Sequence, residues 1–186
     1  MLSNVAMRIL SPCILCLIVS LPTFLVGQGS QEPQARLLYE KIDLPATYSH
    51  TCLTVFPDGH FHMEQGSYWP QSGVHVFEGT MLPKEVNSLV ALVDAQDFRN
   101  LPKTGEGMAK VAQGQVFSGV IHRGNEFQLF RRIGLEGSGT QHPKPLPQAI
   151  VPLLQWFQSS IKAIRQQKLA PLKDVRATNC GFPPPQ

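Results

Sequence analysis

An apolar run over residues 9–26, preceded by a start whose one charged side chain is Arg8 and followed by Gly27, Gln28, Gly29 and Ser30, governs everything downstream of it. This is the layout of a secretory signal peptide: a positive end held at the cytoplasmic face, a greasy segment for the translocon, and small residues where the peptidase needs a narrow chain. Gly27 and Gly29 occupy the two small-residue positions for a cut before Ser30, and a cut directly after Gly27 is the near alternative. The competing reading is a retained anchor, since about 18 residues approach a bilayer span. Pro12 and Pro22 interrupt the run and no basic stop-transfer cluster follows it, so export with cleavage is the expectation. A lipoprotein signal fits less well, because Cys13 and Cys16 follow Pro12 and Leu15, where that pathway requires a small residue.

Removing 29 of the 186 residues leaves 157, enough for one domain with a real core. The segment takes one Arg and no acid with it, so the formal net charge falls from +3 to +2. So even a balance gives no electrostatic reason to expect nucleic acid or an anionic membrane as partner. With 42% hydrophobic and 16% charged residues, collagen-like, coiled-coil and charge-driven disordered chains are excluded. The expected organisation is a signal peptide over 1–29, a flexible lead-in over 30–48, a single domain over 49–167 and an extended, proline-rich tail over 168–186.

Export also sets the sulfur chemistry. Cys13 and Cys16 have redox-motif spacing but leave with the signal; Cys52 and Cys180 remain. In an oxidising compartment an even pair reads first as a disulfide and second as two separate buried thiols. A Cys52–Cys180 bridge would close a loop of about 130 residues, a constraint of roughly 4 to 5 kcal/mol from loop-closure entropy before native strain.

Along the mature chain the first clear unit is a hairpin, residues 49–56 and 60–65 around Pro57, Asp58 and Gly59. Pro presets φ, Asp bonds back to the chain, and Gly accepts positive φ. Alternation puts Phe61 and Met63 on one face and His60, His62 and Glu64 on the other. A third strand near residues 74–78 precedes a helix led by Pro83, with Val86, Leu89, Val90 and Val93 at helical spacing and Phe98 and Leu101 beyond its end. A second hairpin, 115–123 and 126–133, turns at Gly124 and Asn125. The last helix begins between Pro147 and Pro152 and runs to Gln167, with Leu153, Phe157, Ile161 and Ile164 along one side. The order implies an α+β domain: an antiparallel sheet of two hairpins plus one strand, two helices on one face, and the opposite face polar and open to a partner.

The segment 51–64, with its Cys-containing strand and Asp-Gly turn, is followed by Phe77, Glu78 and Gly79 before a Pro-led helix and then by a second hairpin-helix half. In these features the chain resembles uncharacterised exported bacterial domains. The resemblance covers about residues 49–164. It implies a fold and an envelope location and carries no catalytic residue.

The chemistry-bearing candidates are few. His60, His62 and Glu64 share a strand face, and His75 on the next strand would complete a set able to bind zinc or copper; alternation beside a turn produces the same pattern on an ordinary solvated face. Ser138 lies in a glycine-rich loop without a base, and residues 105–107 lack the third glycine of a nucleotide-binding turn. Arg131 and Arg132, with Lys162, Arg165 and Lys168, offer a basic patch for an acidic partner or simply a solvated rim. Phe182 with Pro183, Pro184 and Pro185 resembles a polyproline II ligand or a stiff tail. The expectation is a secreted or periplasmic, non-enzymatic interaction domain with an unidentified protein partner, no cofactor, no nucleic acid and no membrane span after cleavage. The alternative is a metal-binding or hydrolytic envelope protein using His60, His62 and Glu64.

Overall fold

A computed structural model describes residues 32–43, 46–69, 71–101, 113–134 and 146–172. The element order is β1 (Ala35–Asp43), β2 (Thr47–Val55), β3 (His60–Trp69), β4 (Gln71–Thr80), α1 (Pro83–Asp94), α2 (Gln96–Arg99), β5 (Gln113–Arg123), β6 (Glu126–Gly134) and α3 (Val151–Gln166). The strands make one six-stranded antiparallel sheet in the order β4-β3-β2-β1-β5-β6. The α+β class and the antiparallel sheet are as the periodicity implies. The signal segment, residues 1–29, lies outside the described residues.

The lead-in is the main correction. Residues 35–43 are a central strand, paired along their whole length with β2 on one side and β5 on the other. Leu37 and Leu38 are adjacent in sequence and both buried, one on each sheet face. A strand covered on both faces has no clean polar alternation to betray it. β3 also runs past Gln65, because Gly66 stays in the ladder: a Cβ there would meet His50 Cε1 at 2.9 Å, so the missing side chain makes room for the imidazole.

Leu37, Leu53, Phe61, Met63, Phe117 and Ile121 share one face and meet Val86, Leu89 and Val93 of α1 and Leu153, Phe157, Ile161 and Ile164 of α3 in a single core. Aromatic rings cross it in sequence: Phe98 on Phe130, Phe130 on Phe117 and Phe117 on Phe157, each pair with centroids 5.5 Å apart. Gly119 permits this arrangement. A Cβ there would sit 2.7 Å from the Phe130 ring, 2.8 Å from Leu37 Cδ2 and 2.9 Å from the Arg36 carbonyl, so no larger residue fits without displacing the sheet centre.

Side chains fix the helix ends. Pro83 opens α1, and the Glu85 carboxylate accepts the Leu82 N–H at 3.1 Å, satisfying a donor that the first turn leaves without a partner. At the other end Arg123 donates to the Val93 carbonyl and, at 3.1 Å, to Asp94, while Gln128 donates to the Phe98 carbonyl at 2.9 Å. The β5–β6 hairpin thereby clasps the corner between α1 and α2. Trp156 Nε1 donates to the Glu85 carbonyl at 3.1 Å and ties α3 to α1.

Candidate functional site

With the helices on one face, the chemistry-bearing residues collect on the other. Register places them in cross-strand rows: Arg36, Thr54, His62 and Glu78 in one, Leu38, Cys52, Glu64 and Val76 in the next, and Glu40 beside His50 in a third. His62 is 4% exposed and Glu64 3%. His62 Nε2 lies 2.8 Å from Glu64 Oε1, and its Nδ1 lies 3.1 Å from Glu78 Oε1.

Two acceptors on two ring nitrogens favour the doubly protonated imidazolium, which donates from both. The Glu64 hydrogen bond, aided by Glu78 and opposed by burial, raises the His62 pKa above its ordinary value. His50 goes the other way: burial lowers its pKa against the pull of Glu64 and Glu40. Tyr48 donates to Glu40 on the same face. Tyr48, His50, Cys52 and Glu64 each make a further interaction beyond these bonds.

The expected metal set does not assemble as a foursome. His62 and Glu64 meet, but His60 is exposed beside Phe56, with ring centroids 5.9 Å apart. His75 is in register with Gln65, on the helix side of the sheet, facing away from the other three. Ligation by His62 would require one nitrogen to release its carboxylate and its proton. Among the described residues, no group of three or more His, Cys, Asp or Glu is arranged to hold a metal ion.

The remaining candidates separate in the same way. Arg131 follows the register of Ser118 and Arg132 that of Phe117, so the two arginines point to opposite faces and do not form one patch. Lys162, Arg165 and Lys168 are exposed at the end of α3 and just past it. Ser138, the 105–107 segment, Cys180 and the proline-rich end 182–185 lie outside the described residues. An open cleft of about 210 Å³ between α1 and α3 is lined by Lys84, Glu85, Ser88, Trp156, Ser159 and Ser160. None of these lining residues is an imidazole or thiol that could activate a serine.

Sequence reasoning passed over Glu40, Tyr48 and His50. Counting by twos back from Cys52 would have placed Tyr48 and His50 on its face, while Glu40 became visible only once β1 was a strand. The face was also expected to be polar and open. Its centre is instead enclosed, with Leu38, Ile42, Cys52, Val76 and Val116 buried there. What stands open is its margin on edge strand β6, where Phe127 is 60% and Leu129 45% exposed, in register with His122 and Val120.

No family model matches the chain, and no curated protein matches it. Among the described residues no helix is long and apolar enough to cross a membrane.

Proposed function

We propose that this chain is exported, cleaved near Ser30, and works in the periplasm or outside the cell as a non-enzymatic interaction domain. It docks a protein partner on the margin formed by Phe127, Leu129 and the outer edge of β6. The observation that carries this reading is the exposure of two large apolar side chains on an edge strand. An edge presents a row of unpaired backbone donors and acceptors, and partners commonly dock by adding a strand to it. Apolar side chains at alternate positions supply the pockets and contacts that give such docking its specificity.

The covalent staple belongs to the same proposal: Cys52 bonds Cys180. Export supports it, and so does the full burial of Cys52 in the enclosed face. Crosslinking in the native envelope tests the docking surface. Species captured by the wild-type chain should be lost from a Phe127→Lys, Leu129→Lys double variant and retained by His62→Ala. Capture unaffected by the double variant would refute the β6 margin. Bound zinc or copper at one equivalent in the purified protein, lost in His62→Ala, would favour the metal-centred alternative instead.

A further inference from the structure

The two edges of the sheet are treated differently by the chain. On the outer edge of β4 the Leu172 N–H donates to the Val76 carbonyl at 2.8 Å, so residues past α3 engage that border. β6 ends the strand order on the other side, and among the described residues no backbone group bonds to its outer border.

The β5–β6 turn fixes what that border offers. Arg123 and Glu126 are partners across a two-residue loop, Gly124 and Asn125, with Gly124 at φ +59°. The pair that closes such a loop exchanges its hydrogen bonds, and bonded and non-bonded pairs alternate from there. Gln128 and Phe130 therefore direct their N–H and C=O groups to Ile121 and Gly119, while those of Phe127, Leu129 and Arg131 point outward. The side chains of the same three residues lie on the second sheet face, where Phe127 and Leu129 are exposed.

Two charges on β6 are left over. Glu126 is exposed at one end, and Arg132 near the other is 7% exposed. Arg132 Nη1 donates to the outward-pointing Arg131 carbonyl at 2.9 Å, which holds its guanidinium at the border. Among the described residues neither Glu126 nor Arg132 makes an ion pair. A nearly buried cation without a carboxylate is a costly arrangement that an incoming acid relieves.

We infer that the partner of this border is a second copy of the chain, its β6 antiparallel to the first about a two-fold axis at Leu129. The inference rests on the docking surface proposed above and names the partner. In this register Leu129 meets the partner's Leu129, Phe127 meets the partner's Arg131, and Glu126 meets the partner's Arg132. The contact is isologous, so each of the last two pairs occurs twice. Opposite charges face one another, a guanidinium lies against an aromatic ring, and the outward backbone groups are the ones that bond. An axis at Gln128 or Phe130 keeps the backbone bonds but sets Glu126 against Phe130 or Gly134. An axis between two residues opposes outward groups to inward ones and loses the bonds. A single-strand border is a small interface, so the expected Kd is about 100 µM, and the chain is monomeric in the low micromolar range.

Sedimentation equilibrium of the purified protein from about 1 µM to 1 mM should show monomer passing to dimer. Glu126→Arg should weaken association about tenfold, and the Phe127→Lys, Leu129→Lys variant should abolish it. Under mild oxidation at high concentration, Leu129→Cys should give a 129–129 link in peptide maps, whereas Phe127→Cys, displaced from the axis, should not link to itself. A mass that stays monomeric throughout would overturn the second copy as partner. The docking surface itself would then still be judged by whether the double lysine variant loses capture in the native envelope. A dimer that survives the double variant, or that links through Phe127→Cys as readily as through Leu129→Cys, would overturn the β6 pairing. Association unchanged in Glu126→Arg would overturn the register.

Discussion

The two halves of the second sheet face invert the usual relation between polarity and exposure. Around His50, Thr54, His62 and Glu64 the face carries imidazoles, a carboxylate and a hydroxyl, yet it is enclosed. At the β6 margin it carries Phe127 and Leu129, yet it is exposed. The lesson is that a period-two pattern assigns a residue to a face but not to water. Whether a position is dry depends on the neighbours that register and distant strands bring to it.

The largest effect should come from the enclosed half. His62→Ala removes the hydrogen bond to buried Glu64 and the one to the more exposed Glu78, at a cost of about 3 kcal/mol in urea unfolding. A loss under about 0.5 kcal/mol would mean that this half is wetter than its burial implies. Gly119→Ala probes the helix face beneath the boundary between the halves. Its new methyl meets Phe130, Leu37 and the Arg36 carbonyl, and a loss of about 2 kcal/mol is expected. At the exposed margin, Phe127→Lys with Leu129→Lys should change unfolding free energy by no more than about 0.5 kcal/mol while abolishing partner capture. Equal destabilisation by the margin and His62 variants would erase the contrast between the halves.

The pH dependence separates the two buried imidazoles. His62 has its folded pKa raised, so the folded state binds the proton more tightly than the unfolded chain. Its contribution is complete below the unfolded value of about 6.5 and is lost as pH rises through the higher folded value. His50 has its folded pKa lowered, so its contribution is present above about 6.5 and is lost as pH falls through the folded value. Unfolding curves of the wild type, His62→Asn and His50→Asn between pH 5 and 9 should show the difference. The His62 variant loses the alkaline decline and the His50 variant loses the acid one. The smallest expected effect lies at the exit from α3, where Lys168→Gly relieves a left-handed backbone and should stabilise by roughly 0.5 kcal/mol.

Local chemistry made much of the architecture readable. The Pro57-Asp58-Gly59 turn is as expected: the His60 N–H donates to Asp58 Oδ1 at 2.9 Å, and Gly59 has φ +86°. Pro83 opens its helix, and Phe61 and Met63 go to the core. β1 escaped notice because partners distant in sequence determine its burial, and Arg36, Glu40 and Lys41 give it the look of a polar lead-in. The His62–Glu64 contact follows from alternation. The Glu78 contact and the reversal of His75 do not, since both depend on the register between β3 and β4, which no local signal specifies.

The position of β1 has a consequence for how this protein comes into being. Its backbone is saturated only when both β2 and β5 are in place, and β5 lies beyond an entire strand-helix unit. A chain threaded from its N-terminus into another compartment therefore presents β1–β4 first, with the inner side of β1 bare until residue 123 has emerged. For that interval the nascent half-sheet carries a sticky, hydrogen-bond-hungry border at what will become its middle. If the chain is exported as proposed, holdases of the receiving compartment should bind it then and let go when β5 arrives.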